Sequence, residues 1–253
     1  MTRLTAAEQL LQELGITEAD EIDLEAIAWY LGATVKIRTL HGCEARIVGA
    51  GDRAVITINA ASAFVRQRFS IGHEIGHWCN HRGRTLVCRA EDIGGHASSG
   101  FLLERQADSF ASDLLMPGYI LRPYLLQSKA LNFDLIRDIA REFTTSLPAT
   151  AIRLVEHGAW PAILVCHGQS GRKWFTRNRA VPEIWFPGND LNVGSRAFGL
   201  LFGNDSDQKR PGPIGAHIWF CRRDAERYEI QEQSIRSGSD VLSLLMMSPK
   251  MCG

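Results

Sequence analysis

Apolar positions in the first part of the chain recur first at helical and then at strand spacing. Leu4, Ala7, Leu10, Leu11 and Leu14 share one face of a helix that stops at Gly15. Asp23 stands where it would cap a second helix over 24–31, closed by Gly32. Three short runs rich in Val, Ile and Thr follow at 33–37, 45–48 and 54–59, broken by Gly42, Gly49 and Gly51. The pattern predicts two helices and then a small antiparallel sheet.

From 61 to about 79, Phe64, Val65, Phe69, Ile71, Ile75 and Trp78 cluster on one side of a longer helix. Residues 82–100 have loop chemistry, with Gly94, Gly95 and Ser98-Ser99-Gly100. An amphipathic helix over 101–116 ends at Pro117-Gly118, and further helices are expected at about 119–127, 133–142 and 148–157. After Trp160-Pro161 the texture changes. Strand-like runs appear at 162–166, 216–220 and 228–231, with a helix near 191–202 and an exposed loop over 203–215. The expected fold class is α+β. The expected divisions are a helix-and-sheet domain over 1–125, a helical segment over 126–158 and a C-terminal α+β domain over 160–253.

With 45% apolar and 22% charged residues, the 253-residue chain is neither disordered, collagen-like nor a coiled coil. Lys+Arg and Asp+Glu both number 28, so no net charge draws it to nucleic acid or an anionic membrane. The longest apolar runs, such as 241–247, are far short of a membrane span, and the first twenty residues lack the apolar stretch of a signal peptide. Six cysteines at 43, 79, 88, 166, 221 and 252 include no C-x-x-C pair. They read as thiols of a reducing compartment, and the expected location is cytoplasmic.

The chemistry concentrates at His73-Glu74-Ile75-Gly76-His77. Two histidines at i and i+4 lie one turn apart on one helix face, so their imidazoles can converge on one ion, and the adjacent Glu74 can serve as general base toward water. In a chain of this composition such a motif arises by chance roughly once or twice in a hundred, so its surroundings must decide. A catalytic zinc takes three protein ligands. Glu104, on the next amphipathic helix, is the candidate third. Asp108 lies at i+4 from it, where its carboxylate can accept from the far nitrogen of a ligand histidine. His81, one turn beyond His77, reads as a helix C-terminal histidine rather than a ligand. His96, Tyr119 and Tyr124 are minor candidates for stabilising an oxyanion.

The stretch Arg68-Phe69-Ser70-Ile71-Gly72-His73-Glu74-Ile75-Gly76-His77, followed by the run from Glu104 to Pro117, resembles the ImmA/IrrE metallopeptidases. The upstream Leu24-Glu25-Ala26-Ile27-Ala28 and the 54–59 strand agree with this over roughly residues 5–157. The resemblance implies a zincin-like domain in which His73, His77 and Glu104 hold Zn2+, with Mn2+ or Fe2+ as substitutes, and Glu74 is the catalytic base. It also implies an endopeptidase that cleaves a helix-turn-helix (XRE-type) repressor and so derepresses stress, DNA-damage or mobile-element genes. The C-terminal domain is then expected to be a GAF-like sensor.

Two other readings stay open: a zinc peptidase of a toxin–antitoxin or phage system, and a metal-stabilised module that sequesters a repressor without cutting it. Glu74 favours chemistry, since a structural metal has no use for a base. If the 54–59 strand were a sheet edge, an extended peptide could add beside the metal. Residues 133–157 have helix-turn-helix spacing but are not basic, so they are expected to pack or dock protein rather than bind DNA. Trp174, Trp185 and Trp219 are expected in the C-terminal core rather than in a pocket.

Overall fold

The computed structural model describes residues 3–80, 86–88 and 101–252. In chain order the elements are α1 (Ala6–Glu13), α2 (Leu24–Tyr30), β1 (Ala33–Arg38), β2 (Ala45–Ala50), β3 (Arg53–Asn59), α3 (Phe64–Asn80), β4 (Leu86–Cys88), α4 (Phe101–Leu115), α5 (Gly118–Gln127), α6 (Phe133–Glu142) and α7 (Leu147–His157). They are followed by β5 (Ala162–Gly168), β6 (Gly171–Arg177), α8 (Arg196–Phe202), β7 (Gly212–Gly215), β8 (Glu229–Ser237) and β9 (Asp240–Met246). The α+β class is as expected. None of the described helices is long and apolar enough to cross a membrane.

The chain forms two compact units: Met1–Pro123 with Ala140–Ser146, and Tyr124–Ile139 with Leu147–Gly253. The 126–158 segment is therefore shared between them, and α7 packs on β5 and β6 in the second unit.

In the first unit, α1 starts at a capping box. The Thr5 hydroxyl accepts from the Glu8 amide, and Glu8 Oε2 accepts from the Thr5 amide at 2.9 Å. The other Glu8 oxygen accepts from the Gly118 amide at 2.7 Å, so one carboxylate starts α1 and holds the head of α5. Asp23 caps α2 as expected, accepting from the Glu25 and Ala26 amides.

The sheet order is β1-β3-β2-β4. One expectation is corrected here, and one open condition is not met. The sheet is mixed rather than antiparallel, because β1 runs parallel to β3. The 54–59 strand is not an edge, because β1 and β2 flank it. The physical reason is burial: β3 buries more of its residues than β1 or β2, with Ile56 and Ile58 fully buried. The β2–β3 hairpin turns that strand inward, against β1, and leaves β1 and β4 at the edges. Helix α3 lies on β2 and β3. A Cβ on Gly49 would stand 2.5 Å from the Trp78 ring, so this glycine leaves the space on β2 that the indole fills. Trp78 Nε1 in turn donates to the Leu31 carbonyl at 2.8 Å.

The second unit is an antiparallel sheet in the order β6-β5-β9-β8-β7, with β5 buried along its whole length. Trp185, Trp219, Phe220, Leu200 and Leu245 belong to its core. The expected packing role of Trp185 and Trp219 is met there, while Trp174 on β6 is half-buried. Glu232 on β8 is fully buried yet saturated. It accepts from the Ala197 amide at the start of α8, from Trp219 Nε1 and from the Ser234 hydroxyl. An anion at a helix start meets both unpaired amides and a favourable dipole. The 216–220 run, expected as a strand, turns instead as a 3-10 helix over Ala216–Ile218. The Trp219 and Phe220 amides bond back to the Ala216 carbonyl, and β7 just upstream supplies the pairing with β8.

Helix α6 ends without glycine. The Thr145 amide reaches the Ala140 carbonyl at 2.9 Å and the Thr144 amide reaches that of Arg141, which is a Schellman closure. It holds Thr144 at φ 51°, where a β-branched residue is strained. Thr144→Gly is expected to relieve about 0.5–1 kcal/mol and raise the melting temperature by about 1–3 °C in calorimetry. A lower melting temperature would show that the threonine is better placed there than glycine.

Candidate metal centre

Helix α3 carries His73 and His77 one turn apart on its buried side, and both rings are essentially inaccessible to solvent. Helix α4 brings Glu104 against them. His73 Nε2 lies 3.0 Å from His77 Nε2 and 3.1 Å from Glu104 Oε2, and His77 Nε2 lies 3.4 Å from Glu104 Oε1. These three residues offer one ligand atom each within 4.8 Å of one another, a grouping that can hold a metal ion. Tetrahedral zinc with bonds of about 2.0–2.1 Å sets its ligand atoms about 3.3 Å apart, so the donor set matches in kind and in spacing.

Asp108 completes the arrangement. Its Oδ1 lies 2.9 Å from His73 Nδ1. With the proton held on that side, Nε2 turns its lone pair toward His77 and Glu104. Burial by itself would depress the His73 imidazole. The Asp108 and Glu104 carboxylates on its two nitrogens outweigh that and hold it up at about 9. Burial likewise works to raise Glu104, but the two histidines bring it down to about 2.

Glu74 is fully buried next to this pair, and its charge bears on His73. Arg68 reaches the Ile22 carbonyl at 3.4 Å and so ties α3 to the segment before α2. Tyr119 is engaged elsewhere: its hydroxyl donates to the Ile16 carbonyl at 2.6 Å. Tyr124 falls in the second unit. His81 and His96 lie outside the described residues.

Small residues outside the histidine–glutamate pattern set the helix separation. A Cβ on Gly76 would meet Ala107 Cα and Phe110 Cβ at 3.1 Å, and one on Gly72 would meet Ala111 Cα at 3.4 Å. Two glycines four apart on α3 thus face two alanines four apart on α4. The repeated spacing of small residues was a readable signal. It lets the backbones approach closely enough for a short glutamate to meet the histidines.

A histidine pair on one helix and a glutamate on a second, beside a buried glutamate, form a group that can hold a metal ion. Residues 18–155 match the IrrE N-terminal-like domain of the peptidase M78 family, and the chain belongs to that family. It thus carries a metallopeptidase-like domain of the kind that the ImmA/IrrE resemblance implied. No curated protein sequence matches it. Among solved structures it is similar in fold to a Mycobacterium tuberculosis transcriptional regulator, with TM-score 0.62 and 15% identity over 97% of this chain and 88% of that one.

The close helix contact is testable by itself. Gly76→Val is expected to force α3 and α4 apart and cost about 1–3 kcal/mol, read by denaturant unfolding. An unchanged midpoint would show that the helices are not in backbone contact there.

Proposed function

We propose that this chain is a zinc-dependent endopeptidase that cuts a helix-turn-helix (XRE-type) repressor and so releases the genes that repressor silences. The observation that carries the reading is the convergence of His73, His77 and Glu104 beside the buried Glu74. His73, His77 and Glu104 would hold the ion, and Asp108 would orient His73. Mixed nitrogen and oxygen ligation suits Zn2+, while Mn2+ or Fe2+ can take the same donors. When bound, the cation supplies Lewis acidity that acidifies water and polarises the scissile carbonyl.

The residues of the chain do the rest. Glu74 takes a proton from water as its oxygen attacks the peptide carbonyl carbon, then gives that proton to the departing amine as the C–N bond breaks. Among the described residues the edges of the first sheet are β1 and β4, and a peptide substrate can add there as a strand. The description of the similar mycobacterial structure as a transcriptional regulator is in keeping with a role in gene control.

The deciding experiment mixes the zinc-loaded chain with the helix-turn-helix repressor encoded beside it and follows cleavage by mass spectrometry. Glu74→Gln should keep its metal and lose cleavage, since an amide keeps the shape but takes no proton. Full activity in that variant would remove Glu74 from the role of base, and an intact repressor with the wild-type chain would favour sequestration without cutting. His77→Ala should lose most of its metal by elemental analysis, whereas Asp108→Asn should retain the site with about 10- to 100-fold weaker affinity in chelator competition. Equal metal content in wild type and His77→Ala would sink the ligand assignment.

A further inference from the structure

Helix α3 lies on the face of the first sheet that carries Ile47, Gly49 and Ile56. Strand alternation and register define the opposite face. Thr34, Val55 and Val48 stand side by side in one row across β1, β3 and β2, and Lys36, Thr57 and Arg46 form the next row. Arg38 follows on β1, and Arg53 begins β3 at the other end. All four cations of this face are exposed. Among the described residues none of them makes an ion pair. Strands β1, β2 and β3 contain no Asp or Glu to offset them. Glu44, just before β2, is engaged elsewhere, by the Ser62 hydroxyl and by Arg66.

One end of this face hollows into a groove of about 670 Å³. Thr34, Val48 and Val55 line it with Trp29 from the end of α2, and Asp52 and Arg53 complete the rim. Trp29 is 77% exposed and Val48 53%. A single exposed apolar side chain is ordinary on a protein surface. Here a tryptophan and two valines share one groove, and a row of cations without partners begins one step along the strands. The face is thus polarised. Its apolar end carries a carboxylate, Asp52, while its other end carries Lys36, Arg38 and Arg46 and no acid.

We propose that this face docks an acidic, extended protein segment whose apolar residue enters the groove and whose carboxylates meet the cations beyond it. Side chains on one side of an extended chain recur every second residue, about 6.6–6.8 Å apart. The rows of the sheet have the same spacing, so the segment reads apolar-x-acidic-x-acidic, with the first acid over Lys36 and Arg46 and the second beside Arg38. A single strand of nucleic acid is held by successive aromatic faces, whereas this groove has one aromatic ring above valines and a threonine, which suits an aliphatic side chain. A flat lipid surface cannot follow a concave groove. This face is distinct from the sheet edges, and the docking stands whether or not the first unit is a peptidase.

The test uses the full chain, 15N-labelled, and follows the Trp29 indole and the Val48 and Val55 amides by NMR, with Trp29→Phe to identify the indole signal. The probe is the capped peptide Gly-Leu-Ser-Glu-Ser-Glu-Gly. It is expected to shift these signals at low ionic strength with a dissociation constant of about 0.1–5 mM, and to weaken severalfold in about 0.3 M NaCl. Since one exposed ion pair is worth about 1.5- to 5-fold, the peptide with Gln in place of Glu should bind about 3- to 10-fold more weakly. Lys36→Glu combined with Arg46→Glu, both at exposed positions, should weaken the acidic peptide at least fivefold while the melting temperature holds. Still signals at 10 mM peptide, on the order of twice the weakest affinity expected, overturn the proposal. Equal affinity for the Gln peptide overturns the role of charge, and unchanged affinity in the folded double variant overturns the placement. Tighter binding of an oligothymidylate or of phosphatidylglycerol vesicles than of the peptide overturns the class of partner.

Discussion

The site depends on how closely two helices approach. A glutamate side chain is short, and the two histidines project from the buried side of α3. Their donor atoms come within about one ligand spacing of each other only because Gly72 and Gly76 let α3 meet Ala107 and Ala111 of α4 with almost nothing between. The residues between the histidines are therefore as constrained as the histidines. Trp78 and Gly49 repeat the device on the next layer, where a missing side chain on β2 receives a large one from α3. Helix α3 is thus held from two sides, by α4 and by the sheet, and that rigidity places buried polar groups within an otherwise apolar region.

Electrostatics sets the second condition. Glu74, Glu104 and Asp108 surround two imidazoles, an arrangement with more negative than positive charge once the rings are neutral. The raised His73 and the lowered Glu104 are two views of one fact: the carboxylates and imidazoles favour positive charge on the rings and negative charge on the glutamate. Asp108 and Glu104 hold opposite nitrogens of the same ring, so the proton that Asp108 retains determines which nitrogen remains available.

Much of this could be read in the sequence because local chemistry determines it. The Asp23 cap, the helix stops at Gly15 and Pro117-Gly118, and the face shared by His73 and His77 all follow from residues a few positions apart. The strand order did not follow, since placing β3 between β1 and β2 is a matter of which strand is buried most, and that is decided by the whole sheet. The end of α6 gave no glycine signal because Thr144 takes the left-handed position itself. The 216–220 run has a strand's composition, yet the upstream Gly212–Gly215 pairs with β8 in its place.

The alternation of the chain between its two units has a consequence for synthesis. The described residues of the first unit all precede β5, ending at Ser146, whereas β5 must wait for β9, its neighbour in the sheet, far downstream. On the ribosome, His73, His77 and Glu104 can therefore be brought together well before the second sheet can close. During that interval 124–139 and 147–158 belong to a unit whose partners do not yet exist, and their apolar faces are exposed to solvent or to a chaperone. A recombination event with a single crossover would meet the same obstacle, because no one cut leaves both units whole.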